Sequence, residues 1–273
     1  MPKTLLAALL ALSCLLVAAP VAASAKAGAP GATTSVIDGT EARPGQYPFM
    51  AFIAELQHGT LCSGTVVAPR VVLTAAHCVM DLGTGARYGP EGFRVLTGAL
   101  NLLGEEGEVS EVTRVASYPT FTLGAPGYGF GDAALLQLAA PVAAPPVPLA
   151  TGAQSKSLIH TGTRALVAGW GLTQPENKDP SETLLWTRMV IEGKRCEGLR
   201  GRICAIDFPR SASGTCHGDS GGPMLVRVGA KKRLVELAIV HAGFGACSPR
   251  RPGLFTRIDM LGKWIHSQIR ALQ

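Results

Sequence analysis

None of the seven cysteines forms a Cys-x-x-Cys pair, and that absence argues against a structural zinc site. A membrane-spanning run is also missing. The one extended apolar stretch, residues 5–17, is followed closely by Pro20 and falls short of the roughly 20 residues a helix needs to cross a bilayer. No internal repeat is strong enough to support a solenoid or propeller. The formal net charge of +6 lacks a patterned basic face. Much of it is scattered arginine, and Lys231-Lys232-Arg233 sits between two valine-rich runs like the tip of a hairpin. Nucleic-acid binding is therefore not expected.

What is present begins with a leader. Lys3 supplies a charged start, residues 5–17 an apolar stretch and Ala23-Ser24-Ala25 a small-residue cleavage site, the layout of a secretory signal over residues 1–25. Cys14 lies inside that apolar run, which argues against lipid anchoring there. The six remaining cysteines are an even number suited to an oxidising compartment. They allow fifteen pairings, among which spacing alone does not choose. Residues 26–35 are rich in Gly, Ala, Pro and Thr and are not expected to fold by themselves.

Beyond them, short apolar or alternating runs recur between Gly and Pro. The first set is 50–56, 63–67, 71–73, 93–97, 109–115 and 133–138. The second is 163–168, 185–191, 202–205, 223–228, 234–241 and 253–258. They read as strands of an all-β protein, and the length suits two small barrels. Residues 139–150 carry four prolines in an alanine-valine background and read as a crossing between them. Ile258, Leu261, Trp264, Ile265, Ile269 and Leu272 recur at helical spacing, so an amphipathic terminal helix is expected.

Three motifs carry chemistry. Gly218-Asp219-Ser220-Gly221-Gly222-Pro223 places a serine between glycines. A serine hydroxyl is a poor nucleophile at neutral pH and needs a base, plus donors for the charge that develops on the attacked carbonyl. The glycines permit a tight turn that points the N–H groups of Gly218 and Ser220 into one pocket. Taken alone, this stretch is equally a polar surface turn. Val71-Val72-Leu73-Thr74-Ala75-Ala76-His77-Cys78 is an apolar run that ends in a small-residue turn bearing a histidine. A histidine there is ordinarily structural, but this one precedes a cysteine and accompanies the serine motif. Gly131-Asp132-Ala133-Ala134-Leu135-Leu136-Gln137-Leu138 sets an acid at the mouth of an apolar strand. The chain order is His77, Asp132, Ser220, unlike the orders of subtilisin and the α/β-hydrolases.

On these motifs the chain resembles the chymotrypsin/trypsin-like serine proteases from about Val36 to its C-terminus, with the three-disulfide pattern of secreted bacterial trypsins. The resemblance implies two six-stranded antiparallel β-barrels and a C-terminal α-helix. It divides the chain into a signal peptide (1–25), a pro-segment (26–35) and a peptidase unit (36–273). That unit would hold one barrel over 36–145, a second over 146–257 and the helix over 258–273.

It further implies a secreted endopeptidase, extracellular or periplasmic and made as a zymogen, that works by acyl transfer without a cofactor or metal. Ser220 would attack the peptide carbonyl, His77 would move its proton, and Asp132 would fix the imidazole. The N–H groups of Gly218 and Ser220 would hold the oxyanion. The implied disulfides are Cys62–Cys78, Cys196–Cys204 and Cys216–Cys247, each contributing about 2–4 kcal/mol on chain-entropy grounds. Asp219 would pair with the α-amino group of Val36, which opens Val36-Ile37-Asp38-Gly39. Ser35 precedes it where trypsinogen-like relatives carry a basic residue, so a different processing protease, or self-processing, is implied. Protein or peptide substrates and protein protease inhibitors are the other expected partners; nucleic acid and stable membrane association are not.

Some positions depart from the family pattern. Val240-His241-Ala242-Gly243 stands where members usually read Val-Ser-Trp-Gly. The serine there normally bonds the triad aspartate, and a ring nitrogen of His241 offers the same bond. Ala242 widens the cleft. Ala99 stands where a calcium loop would have its first acidic ligand; Glu105, Glu106 and Glu108 remain as candidate ligands, and a solvated acidic loop is the favoured reading. Gly214, six residues before the nucleophile, replaces the aspartate of trypsin-like members. With Thr215, His241, Gly243 and Gly253 it outlines a deep, uncharged pocket for Phe, Tyr, Leu or Met.

The residues also admit three rival readings. A preference for acidic residues is suggested by His241, Arg250 and Arg251. A non-catalytic binding protein could use the same double barrel. An esterase-like hydrolase would need the order Ser-Asp-His, which this chain lacks.

Overall fold

The computed structural model describes residues 39–121, 129–150, 152–174, 179–193, 199–208, 214–243, 247 and 251–273. The first barrel consists of β2 (Met50–Glu55), β3 (Thr60–Ala68), β4 (Val71–Thr74), β5 (Phe93–Thr97), β6 (Glu108–Ser117) and β7 (Ala134–Leu138). These close in the order β2-β3-β4-β7-β6-β5, antiparallel throughout.

The second barrel consists of β8 (Arg164–Gly169), β9 (Leu185–Ile191), β10 (Arg202–Asp207), β11 (Pro223–Val228), β12 (Arg233–Gly243) and β13 (Gly253–Arg257). Its order is β9-β10-β13-β12-β11-β8, and the β8–β9 pairing closes it. A two-residue strand, β1 (Thr40–Glu41), pairs with β9 on the outside. The fold is thus all-β, with two six-stranded barrels and a terminal helix.

Strand formation follows side-chain chemistry. In β2 and β5 burial alternates along the strand, so Ala51, Ile53, Phe93 and Val95 all join one core, the period-two signature of a strand. β4 is buried along its whole length, because Val71, Val72 and Leu73 join the barrel core and Thr74 lies against the glycine turn at Gly221.

The terminal helix α2 (Ile258–Leu272) follows the second barrel in sequence. Its Ile258, Leu261, Ile265 and Leu272 nevertheless join the core of the first. Burial of each such side chain stabilises the fold by about 1.5–3 kcal/mol, and Gln137 Nε2 in β7 donates to the Leu272 carbonyl at 2.9 Å. Trp264 adds an edge-on contact with Tyr118, at 5.3 Å between ring centroids. The helix therefore straps one barrel to the other.

The proline-rich crossing is tied to both barrels. Val147 N–H donates to Val66 O in β3, and Ala150 N–H donates to Glu236 O in β12, each in its own backbone bond of 2.9 and 2.8 Å. Glu236 itself is fully buried. Its Oε2 accepts the Thr65 hydroxyl at 2.7 Å, while its Oε1 has no partner among the described residues. Burial pushes this carboxyl up to about 8 against the pull of the Thr65 hydrogen bond, so it is largely protonated at neutral pH.

Candidate active site

Three chain segments converge where the barrels meet. β4 leaves the first barrel and runs directly into a 3-10 turn, Ala76–Val79, that carries His77. β7 begins just after Asp132, and the β4–β7 ladder pairs Thr74 with Ala134. His77 and Asp132 are thus delivered from adjacent strands. The backbone N–H of His77 donates to Asp132 Oδ1 at 2.9 Å, and His77 Nδ1 lies 2.7 Å from Asp132 Oδ2. Both carboxylate oxygens are used and Asp132 is fully buried, so the ring has one orientation.

The third segment is the serine turn, residues 218–222, between Cys216 and β11. Gly221 N–H donates to Val240 O in β12 at 2.9 Å, and Ser63 N–H in β3 donates to Ser220 O at 2.8 Å. The Ser63 hydroxyl donates to Gly218 O at 2.9 Å. Both barrels therefore hold the turn. Gly221 has φ +82°, and a Cβ there would lie 2.1 Å from Thr74 Oγ1 and 2.4 Å from Ser63 O. Only glycine admits that approach, which brings the serine turn against the end of β4 and the start of the His77 turn. Ser220 is half-buried. Among the described residues no acceptor takes the N–H of Gly218 or of Ser220. The pentapeptide 218–222 also spells Gly-x-Ser-x-Gly, but it leads into β11 rather than a helix, so it is not the hydrolase elbow.

The electrostatics are those of a buried, nearly neutral cluster. Burial disfavours ionisation of Asp132, but the charge of His77 and hydrogen bonds from His241 and His77 outweigh it and hold the carboxyl well below the usual range. Burial disfavours the His77 imidazolium, yet the Asp132 charge and hydrogen bond raise the ring above its ordinary value while Arg202 opposes them.

His241 is turned inward, 4% exposed, with Nδ1 against Asp132 Oδ2. Its ring lies edge-on to His77 at 5.8 Å between centroids. Arg202, which opens β10, touches His241 in turn. No signal in the apolar run 202–205 marks this arginine as buried, since a charge at a strand end is ordinarily solvated.

Asp219 points away from His77. It is 1% exposed, with Oδ1 accepting Gly171 N–H and Oδ2 accepting Cys216 N–H, each at 2.9 Å. A Cβ on Gly171 would fall 2.4 Å from the Asp219 carboxyl carbon, so a glycine there leaves room for the group. Burial raises this carboxyl to about 7 against the two amide bonds. Val36 lies outside the described residues.

Gly243 and Gly253 face each other across the β12–β13 ladder. A Cβ on Gly253 would sit 3.1 Å from the Phe255 ring and 3.4 Å from Thr215 Oγ1. Gly214 is buried beside Thr215; Arg250 lies outside the described residues.

Cys62–Cys78 and Cys216–Cys247 are disulfides, the first beside His77 and the second at the base of the serine turn. Cys204 is also disulfide-bonded; Cys196 lies outside the described residues. Among the described residues, two groups bring three metal-ligating side chains together. In one, Cys62, His77 and Cys78, the sulfurs are bonded to each other. In the other, His77, Asp132 and His241, the donor atoms lie within 4.8 Å of one another and already share hydrogen bonds. Of the three acidic-loop residues, Glu108 accepts Ala143 N–H at 2.8 Å, and all three are exposed. No helix among the described residues is long and apolar enough to cross a membrane.

The sequence profile of the Trypsin family matches residues 36–265. Among curated proteins, a trypsin of Saccharopolyspora erythraea is 29% identical over 242 residues, which cover 86% of this chain and 99% of that protein. Human kallikrein-11 is 29% identical over 89% of this chain and 83% of its own length. A vitellin-degrading protease of Bombyx mori is 30% identical over 78% and 77%. The double barrel, the paired His77 and Asp132 and a profile match spanning both barrels agree, and the chain belongs to the trypsin family as a serine endopeptidase.

Proposed function

We propose that the protein is a secreted endopeptidase that hydrolyses peptide bonds after large apolar or aromatic residues, with Ser220 as nucleophile, His77 as general base and acid, and Asp132 orienting His77. The observation that carries this reading is the two-point grip of Asp132 on His77, 2.7 Å at the ring and 2.9 Å at the backbone, beside a serine turn pinned to β3 and β12. Ser220 Oγ loses its proton to His77 as it attacks the carbonyl carbon. His77 then protonates the leaving amine, and water repeats the sequence to release the acid. The unpaired N–H groups of Gly218 and Ser220 supply the oxyanion donors, each worth about 3–4 kcal/mol in the transition state.

The protein is exported by residues 1–25 and held inactive by residues 26–35. Removal of the latter frees the α-amino group of Val36. The buried Asp219 carboxyl has no cationic side chain beside it among the described residues, and an ammonium is the partner that makes its ionised form favourable.

The pocket reading is supported by Gly243 and Gly253 facing each other across two strands and by the absence of charge at Gly214 and Thr215. A deep uncharged slot gains about 25 cal/mol for each Å² of apolar surface it buries. His241, committed to Asp132, is not available to meet an acidic substrate side chain. Kinetics on matched peptides ending in Phe, Leu, Ala, Arg and Glu test the assignment. Phe and Leu should lead; a tenfold advantage for Arg or Glu would refute it.

A further inference from the structure

Arg202 is only 6% exposed. A buried guanidinium costs free energy unless its N–H groups find acceptors; here both Nη groups do, while Nε has none among the described residues. Nη1 donates to Thr256 Oγ1 at 2.8 Å, across the β10–β13 ladder in which the two residues are register partners. Nη2 donates to the Gly129 carbonyl, just upstream of Asp132, and lies 3.5 Å from His241 Nε2. A guanidinium has donors and no acceptor. His241 Nε2 facing it must therefore be the bare nitrogen, and the ring proton belongs on Nδ1. That nitrogen faces Asp132 Oδ2, the same oxygen that engages His77 Nδ1.

We propose that Arg202 is a positioning residue of the active site, which acts through His241: it fixes His241 as the neutral Nδ1–H tautomer, and His241 in turn donates to Asp132 and holds the carboxylate in line with His77. The inference rests on the reading of His77, Asp132 and Ser220 as a triad.

The alternative states of His241 show why a tautomer setter matters. With the proton on Nε2, a ring lone pair would face a carboxylate lone pair, and His241 would repel the Asp132 oxygen that His77 also engages. With both nitrogens protonated, a second cation would sit on Asp132 and weaken its hold on the His77 imidazolium formed during the reaction. The guanidinium disfavours both states, the first by occupying Nε2 and the second by charge. Burial and Arg202 both depress protonation of His241, against the pull of Asp132. A serine at position 241 would have no tautomer and would need no such partner, so the histidine and the arginine function as one unit.

The test combines imidazole ¹⁵N NMR of the mature protein, inactivated at its serine to prevent autolysis, with a double-mutant cycle. In the unmutated protein His241 should show a protonated Nδ1 and a bare Nε2. Arg202→Met should abolish that pattern and lower kcat by about tenfold or more with KM changed less than about twofold, and Arg202→Lys should restore most of both. In a His241→Ser background the cost of Arg202→Met should shrink to less than about threefold. A protonated Nε2 on His241 in the unmutated protein would overturn the proposal without any variant, whether or not Arg202→Met folds. Equal kinetic cost in both backgrounds would overturn it too. Failure of the triad reading looks different: the unmutated protein would not hydrolyse peptides while the His241 tautomer stayed as stated.

Discussion

At the residue scale, the chemistry depends on how few conformations Asp132 leaves to His77. Ser220→Ala and His77→Ala should give folded proteins with almost no peptidase activity, and Asp132→Asn should lose on the order of 10⁴ in kcat, because the amide presents the wrong partner to Nδ1. Circular dichroism and steady-state kinetics on the same preparations check both halves. His77 must be neutral to accept the serine proton, and its pKa is raised. The acid limb of kcat/KM should therefore lie above the ordinary imidazole value of about 6.5.

Gly253→Val tests the pocket. Its side chain would meet the Phe255 ring and Thr215 Oγ1 and should cut kcat/KM for Phe substrates by about ten- to a hundredfold, the value of burying one aromatic ring, while Ala substrates change little. Loss on both substrates alike would place Gly253 outside the pocket.

At the scale of elements, Glu236 in β12 links the barrels through Thr65 in β3. Its carboxyl is raised to about 8 in the fold, against about 4.3 in an unfolded chain. Between those values the native state binds the proton and the unfolded state does not, so Glu236 makes stability fall as pH rises, by at most about 1.4 kcal/mol per unit. Glu236→Gln should remove this slope. The stability difference between the parent and variant, measured by denaturant unfolding from pH 4.5 to 9, should change steadily up to about 8 and then level off. A difference independent of pH would show that the acid is ionised in the fold or satisfied elsewhere.

The elements themselves were mostly written in local pattern. Residues 93–97, 185–191 and 223–228 form strands with the bounds that the sequence pattern predicts, and α2 buries four of the six residues its helical spacing selects, with Trp264 and Ile269 half-buried against the same core. β1 is too short to show any period, and helix α1 (Gly152–Leu158) buries only Ser155, so neither has an apolar signature. His77, Asp132 and Ser220 stand out because each motif is chemically odd for its surroundings. Arg202 and Glu236 do not, since their burial is created by strands distant in sequence, and a charged residue at a strand end or mid-hairpin reads as solvated until the barrel closes.

At the scale of the whole molecule, the proposed processing step and catalysis meet at one buried acid, Asp219. Protein beginning at Val36 should turn over substrate at least about 10² faster than protein retaining residues 26–35, the cost of a mispositioned oxyanion donor. Asp219→Asn should bring the two forms together at the lower rate. Equal rates for the two parent forms would remove the switch.

The central claim, that Ser220 is the nucleophile of a serine endopeptidase, is tested most directly by titrating the mature protein with a serine-directed phosphonylating reagent and locating the adduct by mass spectrometry. The account predicts one equivalent bound, on Ser220, with peptidase activity lost in the same proportion. Activity that survives complete labelling, or an adduct on another residue, would contradict it.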